Sequence, residues 1–138
     1  MGHEEVMAEL GRIKVHGKLS MGDFTELRRL FGARFTAAWR LVRRGSVKKY
    51  VFKPSGRIQW IVVGDTRDYL IYEEAPYCHC EDFYISIMGG KAKACKHLIA
   101  QKLASQLGLY SVEAEHDGSY FRLLDEWRKV DARPAKQF

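Results

Sequence analysis

The chain has 138 residues, of which 46% are hydrophobic and 29% charged, and its formal net charge is +6 at pH 7. This length fits one domain with a real core, and the composition is typical of a soluble, folded protein rather than a disordered one. No apolar run approaches the roughly 20 residues of a membrane-spanning helix, and the N-terminus lacks the features of a signal peptide. We therefore expect an intracellular protein of the cytoplasm or nucleoid. The absence of asparagine favours a heat-loving source.

The first 45 residues have the pattern of helices. Val6, Leu10 and Ile13 recur at helical spacing and predict a short amphipathic helix. A longer helix is predicted from Asp23, which can cap its N-terminus, to a stop at Gly45. The apolar stripe of this second helix consists of Phe24, Leu27, Phe31, Ala38, Leu41 and Val42.

The middle of the chain changes to sequences that favour strands. Three segments rich in β-branched and aromatic residues are separated by the turn sequences PSG and DTR, and this pattern predicts an antiparallel meander. These segments are SVKKYVFK, RIQWIVVG and DYLIYEE. A fourth strand is predicted in DFYISIM, just before Gly89 and Gly90.

Two helices are predicted in the last third of the chain. The first lies in CKHLIAQKLASQLG, which Gly108 closes, and the second lies in SYFRLLDEWRKV. The expected fold class is α+β, with N-terminal helices followed by an antiparallel meander and C-terminal helices.

All three cysteines fall in one short segment, residues 78 to 97, that ends in a histidine. Cys78 and Cys80 are two residues apart, so in an extended backbone their thiolates leave the same face and can converge on one ion. Zinc takes four ligands, and Cys95 and His97 can complete the set if they lie where the following helix begins. Four protein ligands leave no open position on the metal. We therefore expect one structural zinc ion.

The spacing Cys-x-Cys, fourteen residues, Cys-x-His resembles the SWIM zinc finger, in which a β-hairpin supplies two cysteines and the next helix supplies Cys and His. Ala100 extends the likeness, because CKHLIA is similar to the Cys-x-His-x-x-Ala form of the SWIM proteins of the Shu complex and their archaeal relatives. The resemblance covers roughly residues 46 to 107. We therefore expect a SWIM-like zinc domain at 46–108. Outside the resemblance, the helical patterns predict an N-terminal helical segment at 1–45 packed on this domain, and a C-terminal helix and tail at 109–138.

Two other interpretations of the cysteine segment stay open. The cysteines can be small core residues beside one hydrogen-bonded imidazole. Alternatively, Cys95 with a nearby histidine can form a nucleophile and base, although no third orienting group or oxyanion donor is evident. We therefore do not expect an enzyme.

Basic residues form two stretches that contain no acid. The stretch from Leu27 to Gly64 carries ten positive charges, and the stretch from Phe83 to Val112 carries four lysines. Such segregation favours a surface that binds a polyanion, and we expect DNA, single- or double-stranded, held through its phosphates. An ordinary solvated helix face is the alternative. The candidate contacts are Arg40, Arg43, Arg44, Lys48, Lys49, Lys53, Arg57, Lys91, Lys93 and Lys96.

Four aromatic residues lie within the first basic stretch: Trp39, Tyr50, Phe52 and Trp60. They can stack on unpaired bases or pack in the core. Along VKKYVFK, Tyr50 and Phe52 share a face with Lys48, so neither face is cleanly polar, and core packing is the favoured interpretation for these two residues and for Trp60.

Two classes of function remain. The Shu-complex proteins work with Rad51-type recombinase paralogues, so the resemblance implies an accessory protein of homologous recombination or DNA repair that binds DNA, a RecA/Rad51-paralogue ATPase, or both. The alternative is a pure protein-interaction adaptor or a DNA-binding transcription or chromatin regulator with a structural zinc.

Overall fold

The computed structural model describes residues 19–73, 77, 78, 80, 82 and 94–129. The predicted first helix at residues 6–13 and all but the first residue of the strand predicted at 82–88 lie outside the described residues. In chain order the elements are α1 Met21–Phe31, α2 Ala33–Arg43, β1 Val47–Lys53, β2 Arg57–Val63, β3 Asp68–Tyr72, β4 Tyr77–Cys78, α3 Lys96–Leu107, β5 Ser111–His116, the 3-10 turn Asp117–Ser119 and α4 Tyr120–Arg128.

The long N-terminal helix is divided into α1 and α2 at Gly32. This glycine has φ 60° and ψ −133°, a conformation that other residues rarely adopt, so the prediction of one continuous helix was wrong. The N-cap was also assigned to the wrong residue. Ser20 caps α1 in a reciprocal pair of hydrogen bonds with Asp23, which lies at the third helical position. The predicted stop at Gly45 is confirmed, because α2 ends at Arg43 and Gly45 has φ 76°.

The strands form one mixed sheet in the order β4-β3-β2-β1-β5. The predicted meander is confirmed, since β1, β2 and β3 pair antiparallel in sequence order. The sequence prediction missed β5, which returns from the end of α3 and pairs parallel with β1. The sheet therefore extends past residue 108. The α+β fold class is as predicted.

The sheet separates two hydrophobic cores. On the face covered by α3, which we call the α3 face, Val47, Val62 and Ile71 pack with α1, α2 and α3. On the opposite face, the α4 face, Phe52 and Ile61 pack with α4. Because side chains alternate along each strand, neighbouring residues of β1 serve different cores.

Helix α3 begins after Cys95 and ends at Gly108, which caps it in the left-handed conformation with φ 71°, as predicted. Eight of its twelve residues are buried, including Leu98, Ile99 and Ala100. No helix in the described part of the chain is both long and apolar enough to cross a membrane.

Truncation of Phe52 tests the α4-face core. Phe52 is fully buried, so Phe52→Ala should lower the free energy of unfolding by about 3–5 kcal/mol in urea denaturation. The matched control is Phe121→Ala in α4, where the ring is 78% exposed and the expected loss is below about 0.5 kcal/mol. Equal losses for the two variants would contradict this assignment of the core.

Candidate metal centre

The sheet positions the first two cysteines at its edge. Cys78 ends β4 and lies opposite Ile71 of β3, and this register points it into the core of the α3 face. Cys80 follows two residues later and is also buried there. The two thiols thus lie on the same side of the sheet edge, as their spacing predicts.

The start of α3 positions the other two residues. Cys95 is the N-cap, with extended backbone angles of φ −84° and ψ 162°, and His97 lies in the first turn. An extended cap followed by a helical turn lets these two residues face one point, whereas inside a helix residues two apart diverge by about 200°. The predicted position of this pair at the start of the helix is confirmed.

The four side chains meet in one buried cluster. The three Sγ atoms and a ring nitrogen of His97 lie within 4.8 Å of one another, and all four residues are buried. Three thiols and one imidazole are the donor set that tetrahedral zinc takes in structural sites. The geometry therefore forms a Cys3His site that can bind a metal ion.

The three thiols shift one another's pKa values. Hydrogen bonds from Cys78 and Cys95, with a smaller contribution from His97, hold the pKa of the Cys80 thiol well below its usual range in spite of burial. Hydrogen bonds to Cys80 and Cys95, together with burial, hold the pKa of Cys78 well above that range. A hydrogen bond from Cys78 lowers the pKa of Cys95, but the bond to Cys80 and burial outweigh it and raise this pKa to about 12. The charge of one thiolate thus disfavours ionisation of the next thiol, and a cation is needed to stabilise all three as thiolates.

The imidazole of His97 gives an independent indication of a bound ion. Its Nδ1 atom is buried and has no hydrogen-bond partner among the residues that the structure describes. A buried polar nitrogen without a partner is costly, and a metal site offers the ring an ion to bind. The residues present therefore fit a metal ion.

The ring of Tyr69 packs against the face of the His97 imidazole. The two rings are stacked, with centroids 3.9 Å apart and planes at 24°. Tyr69 can occupy this position because residue 64 is glycine. A Cβ atom there would lie 2.6 Å from Cε2 of Tyr69 and 2.8 Å from the carbonyl oxygen of Arg67. Sequence analysis missed both residues, since no pattern marks which strand aromatic will meet a ligand.

An ion pair connects the chain just after Cys80 to α2. Arg34 donates two hydrogen bonds of 2.9 Å to Asp82, one from Nε and one from Nη2, and this bonding raises the pKa of Arg34. Asp82 lies two residues after Cys80. The forked contact thus anchors the chain beyond Cys80 at the first turn of α2.

The candidate DNA contacts are spread over different surfaces. Alternation along β1 and β2 places Lys48 and Arg57 on the α4 face, where Arg57 lies 4.3 Å from the Tyr120 ring centroid. Lys49 and Lys53 lie on the α3 face, and the Lys49 amine is 5.5 Å from the Trp60 ring centroid. The strand bases thus do not form a single surface. Lys91 and Lys93 lie outside the described residues.

The helical candidates fall into two groups. Arg44 is mostly buried and forms an ion pair of 3.2 Å with Asp65. Arg40, Arg43 and Lys96 are exposed, and none of their side chains has an ion pair or hydrogen bond within the described part of the chain. These three side chains are therefore the ones best placed to meet a ligand.

The aromatic side chains of the first basic stretch pack in the cores. Phe52 and Trp60 are buried, and Trp60 donates from Nε1 to a carboxylate oxygen of Glu73 at 3.1 Å. Half-buried Tyr50 contacts Trp127, with ring centroids 4.8 Å apart. Trp39 packs against Phe24. The core-packing interpretation of Tyr50, Phe52 and Trp60 is therefore confirmed.

Fold and site together define a metal-binding domain of the zinc-finger kind, with two cysteines from a strand end and a Cys-His pair from a helix start. No protein-family model matches the chain. Over 93 residues, however, it is 29% identical to the zinc finger SWIM domain-containing protein 7 homolog of Dictyostelium discoideum. The match covers 66% of this chain and 60% of that relative, so less than two thirds of the relative's length is spanned. This similarity and the Cys3His cluster support a SWIM-type zinc finger; the resemblance to the Shu-complex proteins stays a prediction.

We expect the cluster to bind a divalent metal, and Cys95→Ser to lose it, because the variant removes one of three thiolates. Metal per chain, measured by mass spectrometry after equilibration with Zn²⁺, should fall in the variant and should fall in the native chain as the pH is lowered, since protons compete for the same donors. His116→Ala is the control, because this exposed histidine lies outside the cluster. Full metal content in Cys95→Ser would contradict the assignment.

Proposed function

We propose that this protein is a non-catalytic accessory protein of homologous recombination or DNA repair that binds DNA, a RecA/Rad51-paralogue ATPase, or both. The observation that carries the proposal is the buried Cys3His cluster in SWIM spacing, together with the similarity to a SWIM domain-containing protein. Ala100, fully buried in α3, completes the Cys-x-His-x-x-Ala pattern.

One zinc ion in this cluster has a structural role in the proposal. Its four ligands come from β4, the segment after it and the start of α3, so the ion joins the sheet edge to the helix. Zinc supplies the positive charge that offsets the buried thiolates. Four protein donors leave no position for a substrate, which supports a function without catalysis.

DNA binding is assigned to the surface formed by Arg40, Arg43 and Lys96, which we call the α2 basic surface. Arg40 and Arg43 are three residues apart, so they are neighbours on α2. A pocket of about 370 Å³ is lined by Ala33 and Ala37 of α2 and by Lys96 at the start of α3. Arg40 lies one turn after Ala37, on the same stripe of α2 as Ala33 and Ala37. Because Lys96 shares the pocket with these two alanines, this supports placing Lys96 and Arg40 on the same side of the molecule.

Charge reversal on this surface tests DNA binding. Arg40→Glu/Arg43→Glu should weaken binding to single-stranded and duplex DNA in fluorescence anisotropy across a salt series. If each arginine meets one phosphate, the log–log salt slope should become shallower by about 1.4 for single strands or about 1.8 for duplex.

The matched control is Arg122→Glu/Arg128→Glu, which makes the same charge change at exposed positions of α4. It should bind with a slope close to that of the native chain. Equal loss in both variants would assign binding to net charge alone, and unchanged affinity of the first variant would remove the α2 basic surface from the proposal.

The partner is tested by purification from the native host. A RecA-family ATPase should co-purify with the tagged native chain and be lost with Cys95→Ser, because the variant removes a ligand that joins sheet and helix. The ATPase is identified by mass spectrometry. Repeated failure to recover the ATPase with the native chain would contradict the proposed partner.

A further inference from the structure

Strand β5 lies at one end of the sheet. Its hydrogen bonds join it to β1 on one side, and no described strand pairs with it on the other. Ser111, Val112 and Ala114 are exposed, and Val112 is 60% accessible to solvent. An open edge of this kind offers backbone N–H and C=O groups to another extended chain.

The two faces of β5 differ in chemistry. Its register with β1 sets Glu113 beside Tyr50 and Glu115 beside Phe52, so both carboxylates lie on the α4 face. The pKa of Tyr50 is consistent with this placement, since burial raises it and the charges of Glu113 and Glu115 raise it further. Neither glutamate side chain has an ion pair or hydrogen bond with any described residue.

The α3 face of the same region is apolar, and no described helix covers it. Ala114 lies beside Val51, which lies beside Ile58, so these three side chains form a row across β5, β1 and β2. Ile58 is 50% exposed, although it belongs to a sheet face that α3 covers elsewhere. Val112 extends this apolar surface beside Lys49. Exposed apolar side chains in adjacent rows are typical of a docking surface.

We propose that the β5 edge binds an extended segment of a partner protein, in which apolar residues alternate with lysine or arginine. The added strand continues the sheet: its apolar side chains lie beside Val112 and Ala114, and its basic side chains lie beside Glu113 and Glu115. This inference rests on the docking part of the proposed function. It names the chemical pattern of the partner segment that the protein recognises.

A second copy of this chain does not fit the edge in either of the two registers that pair most of β5. When two β5 strands pair antiparallel around a two-fold axis, the α4 faces of both copies lie on the same side of the joined sheet. A register centred on Glu113 sets this residue opposite Glu113 of the second copy. A register centred on Ala114 sets Glu113 of each copy opposite Glu115 of the other. Like charges directly opposite are destabilising, whereas a basic strand removes the repulsion.

Selection from a displayed library of random peptides tests the proposal on the full zinc-loaded chain. Enriched peptides should alternate Val- or Ile-like residues with Lys or Arg. A synthetic peptide of the enriched sequence should bind Glu113→Lys/Glu115→Lys at least about tenfold more weakly, because the charge pairs become repulsive. Glu26→Lys/Asp125→Lys makes the same charge change at exposed helical positions and should bind normally.

Backbone methylation separates strand addition from attraction between charges. N-methylation of the alternate amides that face β5 should abolish binding, whereas methylation of the other set should leave it, because only one set donates to the edge. Equal effects of the two sets, equal loss in both lysine variants, or no enrichment of an alternating pattern would overturn the proposal. So would a native dimer in sedimentation that competes with the peptide. None of these results depends on DNA affinity or on recovery of an ATPase, so failure here is distinguishable from failure of the proposed function.

Discussion

The metal cluster is the constraint on which the arrangement of the α3 face depends. Three thiols and an imidazole are buried in the same core as the apolar residues of α1, α2 and α3. Without a cation, this core holds three thiols that oppose one another's ionisation and a His97 nitrogen with no partner among the described residues, and unpaired charges or polar atoms are unfavourable away from water. With a cation, the same atoms join the sheet edge to the start of α3. The cluster is therefore part of the core rather than an attachment to it.

The residues around the cluster restrict how its ligands can move. Tyr69 stacks on His97 and fits only because Gly64 has no side chain, while Arg34 holds Asp82 just after Cys80. These contacts come from β3, the β2–β3 turn and α2, so three separate parts of the fold orient the ligands. A metal site is tuned in this way by the groups behind its ligands as much as by the ligands themselves.

Local chemistry explains which features could be predicted from the sequence. The Cys-x-Cys and Cys-x-His pairs, the meander and the cap at Gly108 follow from spacing, alternation and glycine geometry. The break at Gly32 was missed because the apolar stripe continues across it, although a positive φ divides the helix. Strand β5 was missed because its glutamates resemble loop sequence until pairing with β1 gives each side chain a face. Tyr69 and Asp82 meet their partners only through the tertiary fold, and no local pattern contains that information.

The burial of the metal site determines where binding must occur. A closed cluster in the core offers no donor or acceptor to a ligand, so recognition falls to surfaces that the cluster holds in place. Two such surfaces have opposite charge: Arg40 and Arg43 lie on α2, Glu113 and Glu115 lie on β5, and none of these side chains forms an ion pair with another described residue. A polyanion and a basic strand would each be repelled from the other's surface. The nucleic acid and the protein segment of the two proposals are therefore assigned to different surfaces of the fold.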